Sequence, residues 1–391
     1  MTAFISGNRV RLLENGADFF PALLAAIEGA EREIHLETYI FADDEVGRSV
    51  AAALARAAQR GVTVRVLVDG FGARDFTAGL GAMLRADGVE VAVYRPEVAR
   101  LRFRRHRLRR LHRKLAVMDN EIAFIGGINI VDDWDNLHQA AQVPPRFDYA
   151  AMVEGPMVAQ VRQTMAHLWH LVRWSQLRRR GAGRESHCPL PQPAGQTACA
   201  LLIRDNLRHR RDIEDAYLAA INGAERDILI ANAYFLPGRR FRQTLMDAAS
   251  RGVRVTLLVQ GRVEYLLQHY ATRSLYRRLL AAGIRIHEYQ RSFLHAKVAV
   301  VDGHWATVGS SNIDPFSLLL AREANLVVED RTFAALMTAS LERAVADGAQ
   351  PVLLEDMKRQ SRWERWASAL AYFLVRLAVG VSRYGGAEYR E

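Results

Sequence analysis

Apolar and polar positions along this 391-residue chain follow patterns that come twice. EGAEREIHLETYIF (28 to 41) ends a helix-like stretch and enters an apolar β-run; NGAERDILIANAYF (222 to 235) does the same. QRGVTVRVLVDG (59 to 70) matches SRGVRVTLLVQG (250 to 261), and ADGVEVAVYR (86 to 95) matches AAGIRIHEYQ (281 to 290). Each match reads as a helix closed by glycine and followed by an alternating or apolar strand, so the repeating unit is α/β. HRKLAVMDNEIAFIGGIN (112 to 129) aligns without a gap to HAKVAVVDGHWATVGSSN (295 to 312). Two alternating runs flank Asp119-Asn120 in one copy and Asp302-Gly303 in the other, which predicts a hairpin in each half. His and Lys, two apart at the start of the first strand, share one face.

The pattern predicts two similar α/β domains from an internal duplication, spanning 1–180 and 198–355. A Pro- and Gly-containing linker at 181–197 and a tail at 356–391 complete the chain. The first half carries an extra stretch, ARLRFRRHRLRR, just ahead of its motif. Composition is 50% hydrophobic and 25% charged, enough apolar material for two cores. A net charge of +10 predicts an anionic partner, either nucleic acid or an acidic membrane surface. Cys188 and Cys199 lack metal-ligand spacing and are expected as reduced thiols in a reducing cytosol. The N-terminus does not read as a signal peptide, and no apolar run is long enough to span a bilayer.

The duplicated string is His-x-Lys-x-x-x-x-Asp followed by Gly-Gly-x-Asn or Gly-Ser-x-Asn. It places His112, Lys114, Asp119, Gly126, Gly127 and Asn129 against His295, Lys297, Asp302, Gly309, Ser310 and Asn312. The chain holds only three lysines, Lys114, Lys297 and Lys358, among 53 basic residues, so retention of two at matched positions points to a need for a compact ammonium. Phosphodiester exchange without a metal requires a nucleophile, cations on the non-bridging oxygens, and an acid for the leaving alkoxide. Two imidazoles and two ammoniums supply that set. Asp119 and Asp302 sit at the hairpin turns, well along the strand from His and Lys, and are motif residues to which no chemistry is assigned. A duplication kept for fold alone has no reason to retain His, Lys, Asp and Asn together.

These motifs resemble the phospholipase D superfamily, whose signature is this string in duplicate. The resemblance implies that both motifs meet at one active site on the interface between the domains, with His112 as covalent nucleophile and His295 as general acid and base. It implies too that a carboxylate downstream of each motif orients an imidazole; Asp148 and Glu323 match by position. Asn129, Asn312 and Ser310 would bind or orient substrate, with a Ser310 hydroxyl contact to phosphate that Gly127 cannot make. Within the superfamily LETYIF, LVDGFGA, IAFIGGIN, NAYFLPG and HWATVGSSNIDP look most like the cardiolipin synthases, of the shorter class. The implied reaction joins two phosphatidylglycerols into cardiolipin and glycerol, with no metal and no organic cofactor.

Two segments support a membrane substrate. The insert interleaves Arg100, Arg102, Arg104, Arg105, Arg107, Arg109 and Arg110 with Leu101, Phe103, Leu108 and Leu111. In the tail, residues 362 to 383, arginines gather on one side of a helical wheel and Trp363, Trp366, Leu370, Leu374, Leu377 and Val381 on the other. The expected partner is anionic phospholipid, phosphatidylglycerol, at the cytoplasmic side of the cell membrane; nucleic acid is the weaker fit. A nuclease with the same His-Lys pairs is the rival enzyme. A purely lipid-binding module leaves the paired His and Lys without a purpose.

Overall fold

The computed structural model describes residues 3–96, 109–134, 144–175, 188–205, 208–315, 317 and 321–381. The first half contributes β1 (Ile5–Glu14), α1 (Asn15–Gly29), β2 (Glu33–Thr38), α2 (Glu45–Gln59), β3 (Thr63–Asp69), α3 (Leu80–Ala86), β4 (Glu90–Tyr94), β5 (Lys114–Met118), β6 (Ile122–Gly126), β7 (Tyr149–Glu154) and α4 (Met157–Ser175). The second repeats the order: β8 (Thr197–Arg204), α5 (Asp212–Gly223), β9 (Asp227–Asn232), α6 (Arg239–Ser250), β10 (Arg254–Gln260), α7 (Leu266–Ala281), β11 (Arg285–Tyr289), β12 (Lys297–Val301), β13 (Trp305–Gly309), β14 (Glu323–Glu329) and α8 (Arg331–Gly348). It then adds β15 (Ala349–Pro351), α9 (Leu354–Arg359) and α10 (Arg362–Val381).

The halves do not form separate sheets. All fifteen strands join in the order β15-β11-β10-β9-β12-β13-β14-β8-β1-β7-β6-β5-β2-β3-β4, and the seam is the antiparallel pair β1–β8. In each half three outer strands run parallel and the four nearer the seam antiparallel, with β15 a short antiparallel addition at one edge. The sheet folds back at the seam, so that β6 lies against β14 and β7 against β13. The result is one central core in which Leu115, Val117 and Ile125 meet Val298, Val308 and Leu326. Helix α4 packs on it through Met157, Val161 and Met165, and α8 through Phe333 and Met337. Helices α1, α2 and α3 cover the outer face of the first half, and α5, α6 and α7 that of the second. Strands buried on both faces need near-continuous apolar sequence, which is why KLAVM, TVRVLVD and WATVG read as runs.

The two predicted hairpins form as β5–β6 and β12–β13. Asp119 and Asn120 have φ of 53° and 60°, and Asp302 and Gly303 have 51° and 66°, the left-handed backbone that a tight hairpin turn demands.

Residue 356 falls inside α9. Helix α10 packs on α7 through Ser368, Ala371 and Val375, which are buried, while Trp363 is 77% exposed and Trp366 59%. Leu370, Phe373, Leu374 and Leu377 are exposed too. Arg376 folds over Tyr372, 5.7 Å from its ring centre. No helix among the described residues is long and apolar enough to cross a membrane.

Candidate active site

Strands β5 and β12 start at the same end of the folded sheet, and the backbone there crosses between halves. Leu111 bridges Arg322 and Phe147 bridges Leu294. His112 N donates to Arg322 O at 2.9 Å, and His295 N donates to Phe147 O at 2.8 Å. The residues after those two acceptors are Glu323 and Asp148. Each motif histidine is therefore seated beside the carboxylate of the opposite half.

The side chains follow that register. His112 Nδ1 lies 3.0 and 3.1 Å from the Glu323 oxygens, and His295 Nδ1 lies 2.6 Å from Asp148 Oδ2. A carboxylate only accepts, so Nδ1 carries the hydrogen on both rings and Nε2 is the nitrogen left for chemistry. The sequence placed one carboxylate downstream of each motif, and the structure adds that the pairs are crossed.

The lysines lie beside the imidazoles. Lys114 Nζ donates to His112 O at 2.6 Å, and Lys297 Nζ donates to His295 O while standing 3.0 Å from His295 Nδ1. Lys297 is fully buried and Lys114 nearly so. Burial pulls Lys114 down to about 7 and lowers Lys297 as well. Burial, then the charge on Lys297, takes His295 to about 3; burial lowers His112, with Glu323 opposing. For Asp148 burial pushes upward, but Lys297 and His295 outweigh it and the carboxyl is held below its usual range. Burial is the leading cause for all four groups, and the lysine charges add to it.

Ser310 has its contacts within the protein. Its hydroxyl is fully buried, donates to Glu323 Oε2 at 2.5 Å and accepts from Ala324 N at 3.1 Å, so it anchors the carboxylate. The first half needs no such hydroxyl. A Cβ at Gly127 would come within 2.4 Å of Asp148 Oδ1, so the shorter Asp fills the room that Ser310 takes beside the longer Glu.

Asp119 and Asp302 lie away from the imidazoles. Asp119 accepts from the backbone N–H of Glu31, Arg32 and Glu33 at 2.7 to 2.8 Å, and Asp302 from Glu225, Arg226 and Asp227 at 2.8 to 2.9 Å. Each stands five residue steps along the chain from its motif lysine, about 17 Å at about 3.3 Å per residue. They tie the hairpin turn to the start of β2 or β9. Asn129 Oδ1 accepts from Ile40 N at 3.1 Å, joining the loop after β6 to the one after β2. Asn312 is buried, and its Oδ1 has no hydrogen-bond partner among the described residues.

Three neighbours went unnoticed in the sequence. Tyr39 lies edge-on to His112 at 5.0 Å between ring centres, with Lys114 Nζ 5.6 Å from its own ring centre. Its counterpart is Ala233, so the substitution within LETYIF and IANAYF was the available signal. Arg113 and Glu37 form a buried ion pair, where the second half has Ala296 and Ala231. Of the arginine insert, Arg100 to Leu108 lie outside the described residues. Arg110 stacks on exposed Phe71 at 5.0 Å, but Leu111 is fully buried and is no part of a membrane-facing surface.

Comparison with known proteins now bears on this site. A family model described as "Cardiolipin synthase, PLD-like domain" matches residues 23–169 and 217–345, which hold the two motifs. The chain belongs to that family. Cardiolipin synthase B of Escherichia coli (strain K12) is 40% identical over 380 residues, covering 95% of this chain and 88% of that protein. The cardiolipin synthase of Geobacillus kaustophilus (strain HTA426) is 32% identical over 377 residues, covering 96% and 71%. The phosphatidylserine synthase structure from Haemophilus influenzae Rd KW20 superposes with a TM-score of 0.71 at 13% identity, covering 97% of this chain and 96% of that one, which speaks for the fold alone. The family places the chain among the phosphatidyltransferases of the phospholipase D superfamily.

Proposed function

We propose that this protein joins two phosphatidylglycerols into cardiolipin and glycerol at the crossed site. The observation that carries the reading is the pair of buried histidines, each held through Nδ1 by a carboxylate of the other half with a lysine alongside. His112 Nε2 attacks the phosphorus of the first phosphatidylglycerol, and the P–O bond to its glycerol headgroup breaks. His295 gives that alkoxide a proton, so glycerol leaves and a phosphatidyl group stays on His112. The second phosphatidylglycerol then gives its headgroup hydroxyl proton to His295, and its oxygen attacks phosphorus, freeing His112 and forming cardiolipin. Lys114 and Lys297 neutralise the non-bridging oxygens.

His295 must carry a proton when substrate is bound. Burial first and the Lys297 charge second hold its pKa low, and a phosphate oxygen that pairs with Lys297 offsets the second while adding negative charge beside the ring. Substrate binding thereby charges its own acid.

A membrane surface is the setting that best suits the exposed groups. The apolar side of α10 is one support, and exposed Phe71 after β3, Val263 and Tyr265 after β10, and Leu266 and Leu267 at the start of α7 are another. Arg74 and Arg110 lie over Phe71, joining positive charge to apolar surface as an anionic bilayer interface favours. The test is incubation of the full chain with phosphatidylglycerol vesicles and resolution of the lipid products. Cardiolipin with matching glycerol release is expected; phosphatidic acid alone would make the protein a hydrolase.

A further inference from the structure

Strands β9 and β10 run parallel and end side by side, at Asn232 and Gln260, on the end of the sheet where β12 begins at Lys297. The crevice beyond the carboxyl ends of parallel strands is where open α/β sheets bind ligands. A pocket of about 20 Å³ lies there against α7, and Tyr234, Gln260, Glu264, Tyr265 and Thr272 are among the residues that line it. That is room for about one water or one hydroxyl group. Two backbone contacts fix the pocket beside the second motif. Ala233 N donates to Ala296 O at 2.9 Å, which carries the β9–β12 register one step past the strands and brings Tyr234 level with His295. Leu294 N donates to Gln260 Oε1 at 3.0 Å. The residues on either side of His295 are thus held by the pocket's own wall.

That wall offers both halves of a hydroxyl's hydrogen bonding. Tyr234 donates its phenol hydrogen to Glu264 Oε2 at 2.6 Å, which aims the carboxylate. Burial and Glu264 push the Tyr234 pKa well above its usual value, so the phenol keeps that hydrogen. Gln260 Nε2 is buried and has no hydrogen-bond partner among the described residues, a costly state unless an acceptor arrives. A hydroxyl in this space accepts from Gln260 Nε2 and gives its hydrogen to Glu264, so both needs are met by one group. The first half has Ile40, Asp69 and Ala73 at the matching places. There the Asp69 oxygens already accept from the backbone of Leu111, Phe71 and Gly72.

We propose that this pocket holds the hydroxyl next to the one that reacts, so that Glu264, Gln260 and Tyr234 select alcohols that are 1,2-diols. The proposal rests on the phosphatidyl-transfer reading, with His295 as the acid and base. In-line displacement at phosphorus puts the leaving and the entering alcohol on the side opposite His112 Nε2, so one pocket serves both. It takes the secondary hydroxyl of the departing glycerol, then that of the incoming headgroup. The primary hydroxyl of that headgroup gives its proton to His295 while its oxygen bonds to phosphorus and the bond from phosphorus to His112 breaks.

The test gives the full chain phosphatidylglycerol vesicles and an equal mixture of 1,2-propanediol and 1-propanol, whose phosphatidyl products differ in mass from the donor and from each other. With the wild type the diol product should exceed the monool product about tenfold, the worth of one hydrogen bond to a charged group. Glu264→Ala, at an exposed position, should bring that ratio close to one. Tyr234→Phe, which leaves the carboxylate in place but no longer aims it, should lower the ratio by a smaller factor and supplies a second variant if the first does not fold. The ratio is internal to each reaction, so a merely structural role for Glu264 would reduce both products together and leave it unchanged. A wild-type ratio near one, or an unchanged ratio in Glu264→Ala while cardiolipin still forms, overturns the subsite alone. Phosphatidic acid in place of every transfer product overturns the transfer reading and the subsite with it.

Discussion

Glu323→Gln removes one charge from a fully buried position and almost no volume, so it isolates what the carboxylate does for His112. At 3.0 Å the attraction between a carboxylate and an imidazolium is about 5.5 kcal/mol at an effective dielectric of about 20. The amide oxygen can still accept from Nδ1, which keeps part of that interaction. A charged hydrogen bond contributes about 1.5–3 kcal/mol net, so a loss of about 2–4 kcal/mol is reasonable when His112 bears positive charge during transfer. At about 1.36 kcal/mol per tenfold, kcat should fall about 30- to 900-fold with KM little changed. Steady-state transfer on phosphatidylglycerol vesicles, with circular dichroism to check folding, measures it. A folded variant with less than a threefold loss would refute the orienting role and the crossed pairing with it.

Ser310→Ala removes the hydroxyl that anchors Glu323, so kcat should drop about tenfold, about the worth of one hydrogen bond; an unchanged kcat would deny that anchoring. Gly127→Ser should be worse, because its Cβ would meet Asp148 Oδ1 at 2.4 Å, and the expected result is a lower Tm together with lost activity. Binding of a phosphodiester analogue near neutral pH should take up protons, since His295 starts near 3 and the anion raises it; calorimetry in buffers of different ionisation enthalpy reads this, and no buffer dependence would contradict it. Deleting residues 362 to 391 should weaken sedimentation with anionic vesicles, with the remaining binding still sensitive to salt; undiminished binding would remove α10 from the membrane surface.

The duplication was legible because both halves keep glycine, hairpin turn and apolar strand in the same order, and the motif repeats without a gap. That was enough for the α/β class, the two hairpins and the pairing of His112, Lys114, His295 and Lys297. The crossing of Glu323 to His112 and Asp148 to His295 was not legible. It depends on the folding back of one sheet and on backbone bonds from His112 to Arg322 and from His295 to Phe147, contacts between residues more than a hundred positions apart. The bond from the Ser310 hydroxyl to Glu323 was not legible for a related reason, since it too depends on how β13 and β14 pair. The tail pattern was amphipathic, yet only packing on α7 distinguishes Ala371 and Val375, which are buried, from Leu370 and Leu374, which are not.

The central claim is a covalent phosphatidyl group on His112. Mixing the full chain with 32P-labelled phosphatidylglycerol, quenching in alkali where a phosphohistidine survives, and mapping the labelled peptide tests it directly. The label should sit on the peptide containing His112, persist in His295→Ala and vanish in His112→Ala. Label on His295, or turnover to cardiolipin by His112→Ala, would contradict the account.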